Sequence, residues 1–349
     1  MPIITLILLY LISLFNGDRS IAGIFHLLKG KRSSQTIQDG HLYQCLFLFG
    51  VFPRLVRTDL EKGLEYLLNN HYIKQESEMT YKITKKGQEI LHDKLKDANY
   101  IFYLNGWKHK DVASIFWKRL VLMVQSLSCL TVNDHYFFPV INDEQVKYWV
   151  KKNFPKQTVR HQYNRRLYEE LITVLTKMSK EEAELFTYKL TGSNRIGLTN
   201  EQLATILKKE KLLIELIHLS IVHRILEELQ LNRQQYPILK TFISDISLTI
   251  QMTNSTRQTY HLVKRGLSIE EIAVVRNLKV STIEDHVVEI MLEDKSVELA
   301  SFISNKEFAF ISKVIVTSDN KKLSELKKQL PEEISFFKIR LVLARLGER

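Results

Sequence analysis

The sequence predicts a mainly α protein with three parts: a winged-helix-like domain over 1–98, a helical middle region over 99–253 and a helix-turn-helix domain over 254–349. Three observations carry this. Twelve Gly and six Pro in 349 residues are few for the turn-rich chains of sandwiches and barrels. Apolar residues recur at three- and four-residue spacing along most of the chain, while only the stretch from Tyr72 to Thr84 reads as strands. From Tyr260 to Met291, capping residues, turn residues and apolar positions agree on helices joined by tight turns.

Ile3 to Phe15 is almost wholly apolar, but it falls short of the ~20 residues a membrane-spanning helix needs. No basic run precedes it and no small-x-small site follows, so a buried helix of the first domain is expected and no membrane partner. Asn16-Gly17-Asp18 turns the chain, and Ser20 can cap a helix carrying Ile21, Ile24, Phe25 and Leu28. Lys29-Gly30-Lys31-Arg32-Ser33-Ser34-Gln35-Thr36 then reads as a basic loop opening a helix. Free helix N–H groups, the cations Lys29, Lys31 and Arg32 and the hydroxyls of Ser33 and Ser34 suit a phosphate. A solvated turn capped by Ser33 or Ser34 is the competing reading. The loop is not a nucleotide-binding P-loop, because the first Gly of that motif is missing.

Leu60, Leu64, Leu67 and Leu68 form a helical stripe that ends at Asn69-Asn70-His71. Two short strands follow around a tip at Gln75 to Glu78, and Lys85-Lys86-Gly87 leads into another helix. Helix, wing, helix is a winged-helix ending, with Arg54, Arg57 and Lys62 on its recognition helix as phosphate contacts. Glu76 and Glu78 make the wing tip a poor backbone clamp, and winged helices also dock proteins.

The middle region opens with dense aromatics that read as core, and His135 to Pro139 reads as a linker. Lys151, Lys152, Lys156, Arg160, His161, Arg165 and Arg166 form the strongest basic run, interleaved with Trp149, Phe154 and Tyr163. Such a pattern suits a single-stranded or duplex backbone; a merely solvated face is the alternative. Helices are expected over 163–190, 200–231 and 236–250.

In the last part, Gly266 closes one helix and Ser268 with Glu271 forms a capping box for the next. Asn277 suits a left-handed turn, and Ser281, Thr282 and His286 open a third helix that could enter a major groove. Arg276 departs from the pattern, standing where an aliphatic side chain is usual. So does the charge of the third helix: Glu284, Asp285, Glu289, Glu293 and Asp294 would be repelled by a duplex unless they point away. Asp319-Asn320 is expected to turn the chain, and a final helix starts at Pro331 or Ser335.

A net charge of +11 and a pI near 9.3 suit a polyanionic partner such as DNA, although basicity of this size also has bland causes. Cys45 and Cys129 cannot build a zinc knuckle or a disulfide framework, which makes a reducing cytoplasm the expected compartment. No catalytic motif stands out; Glu215-x-x-His218 is half of a di-iron pattern without its second copy. The expectation is a non-enzyme with no cofactor and no metal.

Two stretches carry a resemblance. Tyr260 to His286, with Lys322-Leu323 and Pro331 through Ala344, resembles the helicase-associated helix-turn-helix domain at the C-terminus of some RecQ-type helicases. Asn16 to Ser20 and His26 to Asp39 resemble the opening of YpbB-type proteins of Firmicutes, stand-alone carriers of that domain usually encoded beside such a helicase. The resemblance implies an accessory protein of DNA metabolism, one that supplies the domain in trans to a RecQ-type helicase. A transcription regulator and a pure protein-interaction scaffold are the rival readings.

Overall fold

The structure is a computed structural model describing residues 1–232, 234–246, 252–318 and 322–346. It is mainly helical with one two-stranded sheet, as the sequence predicts. The chain divides into two compact units, Met1–Ile3 with Leu95–Ser247, and Ile4–Lys94 with Leu248–Arg349. One unit therefore joins the winged-helix-like segment to the helix-turn-helix segment from opposite ends of the sequence.

The N-terminal part of that joined unit begins with α1 (Ile3–Phe15), whose Ile7, Leu8, Leu9 and Leu11 have no exposed surface. This is why the stretch is apolar all round. Next, α2 (Ile21–Lys29) ends at Gly30 in the left-handed conformation. Ser33 caps α3 (Ser34–Leu42) by accepting the Thr36 N–H. α4 (Arg57–Asn69) buries Leu60, Gly63 and Leu67 and leads into β1 (Ile73–Ser77). β2 (Thr80–Ile83) pairs antiparallel with β1, Ile73 facing Ile83, with a register shift between Gln75 and Ser77. α5 (Lys85–Lys96) follows, and a Cβ on its Gly87 would stand 2.0 Å from the Tyr72 carbonyl oxygen. Only glycine lets the helix approach the wing this closely.

The other unit contains α6 (Gly106–Thr131), α7 (Glu144–Asn153), α8 (Arg160–Leu175), α9 (Lys180–Tyr188), α10 (Asn200–Leu207), α11 (Lys211–Leu231) and α12 (Pro237–Thr241). Two expected helices are each broken in two. Ser179 stops the first by forming a capping box with Glu182, and Lys208 stops the second in the left-handed conformation. The helix expected over 236–250 appears only as α12, and its last residues lie outside the described ones. α6 is the one described helix long and apolar enough to cross a membrane, yet 67% of its most apolar window is buried. Its Arg119 stacks 4.3 Å from the Trp149 ring and bonds to Asp245 and the Phe242 carbonyl, the pattern of a core helix.

The C-terminal part of the joined unit contains α13 (Asn254–Lys264), α14 (Ile269–Arg276), α15 (Val280–Glu293), α16 (Asn305–Thr317), α17 (Leu323–Lys328) and α18 (Phe336–Leu346). The expected turn at Asp319-Asn320 lies outside the described residues, and the final helix starts just after Ser335. Ile303, Ile311, Ile315, Leu326, Leu330, Ile334, Ile339 and Val342 make one apolar core among α16, α17 and α18. α15 lies at the centre, against α13, α14 and α18, and also against α3 from the other end of the chain.

Candidate nucleic-acid interface

The caps of the helix-turn-helix form as the sequence predicts. Gly266 has φ +82°, and the Ser268 hydroxyl accepts the Glu271 N–H while Glu271 accepts the Ser268 N–H. Asn277 takes the left-handed conformation at φ 50°, ψ 47°. Arg276 does not bury an aliphatic surface. Its guanidinium instead donates to the Ser255 carbonyl at 2.6 Å, the Thr259 hydroxyl at 2.7 Å and Gln258 Oε1 at 2.7 Å, tying α14 to α13.

The third helix is less available than its sequence suggests. His286 is only 8% exposed, and its Nδ1 lies 2.9 Å from Thr259 Oγ1. The Thr259 hydroxyl thus accepts from Arg276 and shares a second hydrogen bond with the His286 ring, which joins α14, α13 and α15 through one buried oxygen. Burial first, and then Arg276, lower the His286 pKa. The expectation that His286 contacts DNA is thus corrected, since its side chain is occupied inside the domain. Ser281 is exposed and Thr282 half-buried, so only the first turn of α15 is open. The acids of α15 are also largely spoken for. Glu289 is buried and accepts from the Thr253 N–H and the Thr256 hydroxyl, both at 2.6 Å. Asp285 pairs with Arg340, Glu293 lies 3.4 Å from His41, and Asp294 accepts from the Tyr260 hydroxyl at 2.6 Å.

In the winged-helix-like segment, Lys31, Arg54, Arg57 and Lys62 are exposed. Lys29 is half-buried with its ammonium 5.2 Å from the Phe25 ring, and Ser33 is engaged as the α3 cap. Arg32 and Ser34 are half-buried, and Arg32 is near enough to Glu289 to stabilise that carboxylate. Burial, then Lys31 and Arg57, lower the pKa of His26, so the basic loop and the start of α4 converge on one electropositive spot. Further along α4, however, Asp59, Glu61 and Glu65 outnumber Arg57 and Lys62. At the wing, Glu76 is taken up by Lys82 at 2.8 Å.

The third candidate is the most strongly charged. From Lys151 to Arg166 there are six Lys and Arg and no acidic residue. Among the described residues, Lys151, Lys152, Lys156 and Arg166 are exposed and form no ion pair, while Arg165 pairs with Glu169 at 2.9 Å. Arg160 is half-buried, 5.4 Å from the Phe154 ring. α8 is entered from a 3-10 turn over Gln157–Val159, the Arg160 N–H donating to the Gln157 carbonyl, and no acid in its first turn offsets the run. The aromatics expected to interleave with these cations turn inward: Trp149 is 7% exposed, and Phe154 and Tyr163 are half-buried. The exposed ring is Tyr148, at 69%, on the same side of α7 as Lys151 and Lys152. The i, i+3, i+4 spacing of those three residues was the signal that could have found it.

A family described as a helix-turn-helix domain matches residues 255–343. Protein YpbB of Bacillus subtilis (strain 168) is 34% identical over 331 residues, which cover 95% of this chain and 94% of that protein. No solved structure matches.

Proposed function

The chain belongs to the YpbB family, and from that premise we propose that it is a non-catalytic accessory protein of DNA metabolism that binds nucleic acid through its basic surfaces. The helix-turn-helix domain itself suggests nucleic-acid binding. The observation that carries the proposal further is the acid-free run Lys151–Arg166, whose Lys151, Lys152, Lys156 and Arg166 are exposed and form no ion pair among the described residues. A polyanion displaces counterions along such a surface, and this supplies most of the affinity of sequence-independent binding. Lys31 and Arg57 form a second, smaller contact region.

In this reading α15 is not the reader. A regulator that selects an operator needs a helix free to enter the major groove, and α15 has buried residues around most of its circumference. The helix-turn-helix unit instead serves as a protein-docking element, and a RecQ-type helicase is the partner that the resemblance favours.

The test is anisotropy of labelled oligonucleotides between about 50 and about 200 mM salt. Lys151→Gln with Lys152→Gln and Lys156→Gln should lower affinity and flatten the log–log salt slope by roughly 2 to 3. Salt-independent binding, or a slope unchanged in the triple variant, would overturn the assignment. Co-purification with the helicase after nuclease treatment tests the partner.

A further inference from the structure

The C-terminal domain has a groove of 730 Å³ between the α13–α14 turn and the start of α18. Its apolar floor includes Leu267, Ile269, Val297, Phe302 and Phe337. Its charge is one-sided. Glu270, Glu271, Glu284 and Glu298 line it and form no ion pair among the described residues. The two lysines at its edge are already neutralised, Lys264 by Asp294 at 3.1 Å and Lys338 by Glu307 at 2.6 Å. One turn beyond Glu270 and Glu271 on α14, Val274 and Val275 are 81% and 64% exposed, which extends the apolar surface out of the groove.

We infer that this groove docks a basic amphipathic segment of a partner protein, placing apolar side chains on the floor and Lys or Arg against the four glutamates. The rim repels phosphate, so the same features that fit a cationic peptide exclude nucleic acid from this face. Glu284 lies in this one-sided field: burial raises its pKa, Arg340 opposes the rise, and Asp285 and Glu270 add to it. A cation seated there would relieve that repulsion. The inference rests on reading the helix-turn-helix as a docking element and gives that element its surface and the chemistry of its partner.

The test uses the full chain and a fluorescein-labelled helical peptide of Leu and Lys, with a Ser and Lys peptide of equal charge as control. The Leu/Lys peptide should bind, weaken with added salt, and lose about tenfold in affinity on Glu270→Lys with Glu298→Lys. Both sites are exposed and outside the capping box, so circular dichroism should be unchanged. Equal affinity in the double variant, or equal binding of the Ser/Lys peptide, overturns the inference. So does a wild-type dimer in sedimentation that the double variant abolishes, because the occupant would then be a second copy. No helicase enters this assay. A helicase that fails to co-purify therefore removes the named partner, whereas a peptide indifferent to charge reversal removes the groove.

Discussion

Arg276 occupies an aliphatic position of the helix-turn-helix and turns it into a polar clamp running from Ser255 and Gln258 through Thr259 to His286. Hydrogen bonds from a charged donor are stronger than neutral ones, and breaking this set leaves Thr259, which has no exposed surface, short of a donor. Arg276→Ala should cost about 1–3 kcal/mol in urea unfolding. The same clamp makes the domain sensitive to acid. His286 is held neutral in the fold with its pKa below the ordinary 6.5, so the unfolded chain takes up a proton first as pH falls. Stability from this group is fully present above about 6.5 and declines below it, toward the lower native value. Comparing unfolding at pH 7.5 and at pH 5.5 checks this: His286→Gln should lose less stability on acidification than wild type. An identical pH dependence in the two proteins would refute the neutral-imidazole assignment. The sequence marks Arg276 as an exception, but the hydrogen bonds that explain it come from α13 and could not be read from α14 alone.

At the scale of elements, what short-range chemistry controls was legible. Ser268, Glu271, Gly266 and Asn277 specify their caps through neighbours no more than a few residues away, and the wing follows from alternation and the Gly87 approach. Ser268→Ala should cost about 1 kcal/mol in unfolding, because the Glu271 N–H at the helix start loses the hydroxyl that accepts from it. The breaks at Ser179 and Lys208 were harder to see, since the apolar spacing continues across both. The exposure of α15 could not be read at all. Its place in the helix-turn-helix suits a groove reader and its acids speak against one, but neither signal shows that His286 and Glu289 are buried against other helices. Alanine at both Ser281 and Thr282 should therefore leave oligonucleotide affinity within about twofold of wild type, because neither contributes a cation to the polyanion term. A larger loss in the double variant than in the lysine triple variant would restore α15 as the reader.

At the scale of the molecule, the joined unit has no counterpart in a reading by segments. Its closure is made by α3 against α15 and α18, where Gln38, His41 and Leu42 face Val288, Leu292 and Leu343 around one small cavity. Arg19–Asp39 at 2.6 Å and His41–Glu293 at 3.4 Å lie near it. Contacts this distant in sequence leave no local periodicity, so residues 254–349 read as a self-contained domain although α15 and α18 also pack on α3. Val288 has no exposed surface and Leu292 is 8% exposed in the full chain. Taking away α3 re-exposes part of both side chains, at a cost of roughly 1–3 kcal/mol, a sizeable share of the stability of a small domain. A fragment of 254–349 should therefore unfold at lower urea than the same residues in the full chain. Adding a separate fragment of 1–94 should bind it and restore much of the difference. If the C-terminal fragment alone is as stable as it is in the whole protein, α3 is an accessory cover and not part of that core. The outcome also bears on docking experiments. If the fragment is weakened, loss of partner binding after cutting the chain before α13 would report a damaged fold, and point variants such as Glu270→Lys become the sound way to map the groove.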